Sequence, residues 1–160
     1  MGKQSAAGSS GPSIDGSVGL AGIGIPPQAY SVDSSEAVTR NVRIQVQTRY
    51  LPERSAPPRS EWFFAYKIRI ANEGPETIQL LTRHWVITDA TGQVEEVNGD
   101  GVVGKQPVIE PGHAFEYSSG CPLTTPFGSM HGEYQMITRT GEQFDVTIPA
   151  FVLRMPGTMN

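Results

Sequence analysis

Cysteine occurs once in this chain, at Cys121, so no intrachain disulfide can form and a packed interior has to supply the stability. A solitary thiol is the usage of a reducing compartment, and a cytoplasmic location is the expectation. No apolar run is long enough to span a membrane, so no membrane partner is expected. Basic charge is in short supply too: 12 Lys and Arg stand against 16 Asp and Glu, a net charge of −4, which argues against a general nucleic-acid binder. The three histidines, His84, His113 and His131, are widely separated and form none of the short spacings that mark zinc or iron sites. Only a fold that brought strands together could make metal ligands of them, with a carboxylate such as Asp100. Helical periodicity is missing throughout.

What is present is turn chemistry. Eighteen glycines and 13 prolines punctuate the chain, and 38% hydrophobic residues suffice for one core. At 160 residues the chain suits a single domain that buries about two-thirds of the surface its unfolded form exposes. Residues 1–37 form a Gly- and Ser-rich stretch without period and are expected to be a disordered extension. Its apolar segment Val18 to Ile25 is too short and too glycine-interrupted for a signal-peptide core. Residues 38–156 carry the domain, and 157–160 a short tail.

Within the domain, Val42, Ile44, Val46, Thr48 and Tyr50 alternate with Arg43, Gln45, Gln47 and Arg49, the pattern of a half-buried strand. Pro52, Pro57 and Pro58 then break pairing. A second alternation puts Phe64, Tyr66, Ile68 and Ile70 inward and Lys67 and Arg69 outward, and Thr77 to Asp89 is apolar enough for a central strand. Strands follow at Gln93 to Val97, around His113 to Tyr117, and at Met130 to Thr138 and Gln143 to Leu153, the last two as a closing hairpin. Gly120 and Pro122 are expected to open a loop holding Cys121. Seven or eight short strands predict an all-β, antiparallel β-sandwich of the immunoglobulin or fibronectin type III kind, with a small barrel as the alternative. Neighbouring first strands would align Arg43 and Arg49 with Lys67 and Arg69, a repulsive arrangement unless a partner or anion covers it; a solvated face is the plainer account. Edge-to-edge pairing into a homodimer is open to such a fold. Trp62, Phe63, Phe64, Tyr66 and Trp85 are read as core and sheet packing rather than a platform for bases.

The densest concentration of turn residues lies between Glu95 and Leu123. Gly99, Gly101 and Gly104 spell G-x-G-x-x-G, and Gly99 to Lys105 also fits G-x-x-x-x-G-K. A dinucleotide fingerprint needs a helix after the glycines, whose amides face the pyrophosphate. Pro107 and the turn Glu110-Pro111-Gly112 forbid one, and Gln106 stands where a Ser or Thr should meet magnesium. What survives is a glycine loop between strands, either an anion nest with Lys105 supplying charge or a bulge whose glycines permit positive φ. Glu95, Glu96 and Asp100 beside it could hold magnesium with a nucleotide, but would repel bare phosphate. Cys121 lacks the helix terminus or elbow motif of an activated nucleophile.

Five segments in order, RYLPE (49–53), FAYKIRIAN (64–72), LLTRHWVITDATG (80–92), NGDGVVGKQPVIEPG (98–112) and FEYSSGCPL (115–123), make the chain resemble the ApaG family from about Val38 to Pro156. That resemblance implies one sandwich domain, with the glycine loop as the family's proposed pyrophosphate site. Lys105 stands where an acidic residue is often found, and Cys121 where the family often has Thr. It also implies a link, in bacteria, to cobalt tolerance and magnesium efflux and, from eukaryotic relatives where such domains are appended to other proteins, an interaction module. Two functional expectations follow. One is a non-catalytic module whose loops Asn98 to Gln106 and Gly120 to Met130 contact another protein, with no cofactor of its own. The other is a binder or hydrolase of a pyrophosphate-containing nucleotide, using Gly99, Gly101, Gly104 and Lys105, with Asp100 or Glu96 on a divalent metal.

Overall fold

The computed structural model describes residues 34–157. The expectations of disorder for residues 1–33 and of a tail over 158–160 lie outside the described residues, but 34–37 are not part of an extension. They open β1 (Ser34–Thr39), a strand the sequence reading missed because its SSEAVT run alternates only weakly. Arg40 and Asn41, both at positive φ, turn the chain tightly into β2 (Val42–Tyr50). Two short 3-10 turns, at Pro52–Arg54 and Pro57–Arg59, fill the proline-rich loop before β3 (Trp62–Asn72). There follow β4 (Ile78–Asp89), β5 (Val94–Asp100), a two-residue β6 (Val108–Ile109), β7 (Ala114–Leu123), β8 (Phe127–Thr138) and β9 (Gln143–Arg154).

All pairings are antiparallel. One sheet has the order β1-β2-β3-β7; the other runs β5-β4-β8-β9, with β6 added beside β4. The sandwich predicted from alternation is therefore present, with nine strands among the described residues. The sheets meet through an aromatic cluster in which Tyr66 of the first lies 5.6 Å from Trp85 of the second, edge-on, and Trp85 lies 5.8 Å from Phe151. Burying side chains of this size stabilises by roughly 1.5–3 kcal/mol each. A second cross-sheet tie joins the buried hydroxyls of Tyr117 and Tyr134, 2.6 Å apart. On one flank the layers close where β1 meets β9, the Thr147 amide donating to Thr39 Oγ1 at 3.2 Å. On the other flank stand the two edge strands β5 and β7.

Two bulges decide which residues face inward. Between Leu80 and Thr82 the register of β4 slips by one, so Leu80 points into the core and so does Trp85, five residues on and of opposite parity. The slip also turns Arg83 inward. A matching irregularity between β8 and β9 lets both Val146 and Phe151 reach the core.

The expected row of like charges is corrected by the pairing. Arg43 stands opposite Ala71, Arg49 opposite Ala65, Lys67 opposite Gln47 and Arg69 opposite Gln45, so no two bases face each other. Acids are interleaved: Glu36 from β1 and Glu73 both bind Arg43, and Glu116 from β7 lies 3.8 Å from Lys67 and 3.5 Å from Arg69. This face is a charge-balanced solvated surface, and exposed pairs of this kind add little stability.

Candidate functional site

The glycine loop begins on β5. Gly99 sits opposite Arg83 of β4, and the guanidinium occupies the space a side chain would need. Arg83, only 5% exposed, donates through Nη1 to the carbonyls of Asp100 and Gly101, both at 2.9 Å. Burial pulls its pKa below the ordinary arginine value, against the favourable fields of Tyr117, Tyr134 and Asp100. A buried guanidinium is tolerated when carbonyls satisfy its donors, and here they are the carbonyls of the loop itself.

Past Gly101 the chain folds on itself. The Val102 amide donates to the Lys105 carbonyl at 2.8 Å and the Lys105 amide to the Val102 carbonyl at 2.9 Å, closing a two-residue turn with Val103 at φ 41° and Gly104 at φ 79°. The Gly101 amide is given to the Leu81 carbonyl at 2.8 Å. Gln106 adds its side-chain amide to the same carbonyl at 2.9 Å. No helix begins here; the chain continues extended to β6. Each glycine has a steric reason: Gly101 is at φ 64° and a β-carbon there would stand 2.3 Å from the Lys105 oxygen, while Gly104 needs positive φ in open space. Val103, β-branched, holds a left-handed conformation that such residues avoid, kept there by packing against the core. Lys105 is exposed.

The histidines do not converge as a set. His113 lies in the turn before β7, its amide donating to the Glu110 carbonyl at 3.0 Å. His84 and His131 share the outer face of the second sheet, opposite Glu133 and Val86 respectively. His84 lies between two carboxylates, Glu133 Oε2 at 2.7 Å from Nδ1 and Glu96 Oε1 at 3.0 Å from Nε2. The pair raises its pKa, Glu96 most, against a smaller lowering by burial. Because the acids sit on opposite ring nitrogens, one ion cannot meet all three groups. Among the described residues no three His, Cys, Asp or Glu side chains are placed to hold a metal ion. Asp100 pairs with Thr82 on this same face.

Cys121 is not in a loop. Gly120, Cys121 and Pro122 belong to β7, and the thiol is buried, its pKa pushed up to about 12 by burial and secondarily by Glu95. A thiol so placed is inert. Pro122 is tolerated because β7 is an edge strand, and the residues bonded to β3 are the odd-numbered ones, so the missing amide is on the free side. The second loop shrinks to the few residues between Leu123 and Phe127.

Arg83 and the Glu96-His84-Glu133 bridge were not picked out from sequence. Cross-strand partners have no fixed spacing, but Arg83 had a signal: Leu80 and Trp85 cannot both face inward along a regular strand.

Residues 52–138 match the model of the ApaG domain family. Among curated relatives, the chain is 57% identical over 120 residues to Protein ApaG of Afipia carboxidovorans, covering 75% of this chain and 92% of that one, and 56% identical over 119 residues to Protein ApaG of Rhodospirillum centenum, covering 74% and 92%. It is also similar to a solved structure of an ApaA protein from Bordetella pertussis, with 46% identity and a TM-score of 0.72 over 76% of this chain and all of that one.

Proposed function

Because the chain belongs to the ApaG domain family, we propose that it is a non-catalytic binding module that presents the Gly99–Lys105 loop, on a rigid sandwich, to another protein. The observation that carries this is the engagement of the Gly101, Val102 and Lys105 amides by carbonyls of the same loop and of β4. A phosphate cradle needs those donors turned outward. Here they are spent on holding a turn, which is what a display loop requires. The strain at Val103 points the same way, since a strained residue persists only where the surroundings hold it. Any bearing on cobalt tolerance or magnesium efflux would be exerted through the partner.

Crosslinking and capture from cell extract with the whole chain as bait tests this. The proposal expects a protein recovered by the native chain and lost with Lys105→Glu. Recovery unchanged by that substitution, or a pyrophosphate-containing nucleotide carried by the bait in place of a protein, would contradict it.

A further inference from the structure

Among the described residues no strand bridges the flank between the two edge strands. A cavity of about 510 Å³ lies there, lined by Ile87, Val94, Pro122 and Leu123 and by two acids, Glu95 and Asp89, the Oδ1 of Asp89 accepting from Thr91 and Gln93. Among the described residues no Lys, Arg or His lines it.

The hydrogen-bond parity of β5 determines what its free edge offers. The Asp89 amide donates to the Gln93 carbonyl at 3.0 Å, and the Gly101 amide to Leu81, so the odd-numbered residues of β5 bond to β4. The backbone groups of Val94, Glu96 and Asn98 therefore point away from β4, along the open flank. Across the cavity, the corresponding edge of β7 is missing a donor, because Pro122 is one of its outward-facing residues. At the level of the cavity a further strand can pair with β5 and not with β7.

Glu95 decides which strand. It faces the cavity from the side of β5 that also carries Val97 toward the core. An inward-pointing charge on an edge is a common device against pairing with like copies. Two copies joined edge to edge through β5 would bring Glu95, Glu96 and Asp100 of one against those of the other. A strand added beside β5 turns alternate residues inward, toward Glu95, Ile87 and Leu123, and the others outward, toward Val94 and Glu96, so Lys or Arg together with apolar residues answers the carboxylate and the apolar groups on each face.

We propose that the free edge of β5, with the cleft beside it, is a docking site for an extended basic and apolar segment of a partner protein, added antiparallel or parallel as one more strand of the second sheet. This rests on the binding-module reading and adds to the glycine turn a second surface of the domain for the same partner.

The test is selection of a displayed library of linear peptides, about ten residues long, on the whole chain, followed by amide exchange of the selected complexes. Enriched peptides should combine Lys or Arg with apolar residues, and the amides of Val94, Glu96 and Asn98 should become protected. Glu95→Lys, on an exposed side chain that leaves the core intact, should weaken such peptides roughly tenfold or more. Peptides without basic residues, protection elsewhere, or indifference to Glu95→Lys would overturn the proposal. So would a concentration-dependent dimer that protects the same three amides without peptide. Binding mapped to Val102–Lys105 would overturn this inference and leave the module reading standing; no binding by either peptides or cell proteins would remove both.

Discussion

The guanidinium of Arg83 occupies the place that a β-carbon on residue 99 would take: Nη1 and Nη2 would each stand 2.7 Å from it. The first glycine of the G-x-G-x-x-G pattern is thus demanded by a buried arginine and not by a phosphate. Gly99→Ala should displace Arg83, free the carbonyls of Asp100 and Gly101, and destabilise by roughly 2 kcal/mol or more in urea unfolding.

The other two glycines should separate in size of effect. Gly104→Ala meets open space and only the left-handed backbone term, about 1–2 kcal/mol. Gly101→Ala adds a collision at 2.3 Å with the Lys105 carbonyl, and should cost clearly more. The same urea series on both variants checks the order; equal losses would mean that the turn relaxes easily.

Tyr117 and Tyr134 bind each other across the sheets with both hydroxyls buried. Removing one leaves the other without its partner, so Tyr117→Phe and Tyr134→Phe should each cost about 1–3 kcal/mol. The double variant should lose much less than the sum. A double-mutant cycle from equilibrium unfolding measures the coupling.

His84 ties β5 to β8 through Glu96 and Glu133, and its raised pKa makes that tie depend on pH. A histidine raised in the folded state stabilises in full below its unfolded value, 6.5, and the contribution disappears as pH climbs through the raised folded value. Stability should therefore fall between slightly acidic and alkaline pH by an increment absent from His84→Gln. Denaturation midpoints of the two proteins across that range supply the comparison.

Most of the fold was legible because β2 and β3 alternate cleanly, with Val42, Ile44, Val46 and Phe64, Tyr66, Ile68 all turned inward. The strand β1 was not, since SSEAVT has little apolar contrast and owes its place to pairing with β2. The sequence places Cys121 in a loop because Gly120 and Pro122 resemble turn punctuation, yet an edge strand accepts proline where its amide faces outward. At the candidate site, the absence of a helix after Gly104 was legible in Pro107 and Pro111. The contacts of Arg83 with the loop carbonyls were not: Arg83 shares the inward face of Trp85 and Ile87, but Leu80 reaches the same core from the opposite parity, across the bulge between Leu80 and Thr82. Similarly, the Glu96-His84-Glu133 bridge depends on the register of three strands, which no spacing along the chain encodes.

Amide chemical shifts of the Gly99–Lys105 loop during addition of magnesium-ATP, and separately of inorganic pyrophosphate, bear most directly on whether this loop displays a surface or cradles an anion. With the Gly101, Val102 and Lys105 amides held by carbonyls of the protein, their signals should stay in place up to millimolar ligand. Saturable shifts of those three amides, with the Arg83 contacts released, would show that the loop opens around phosphate.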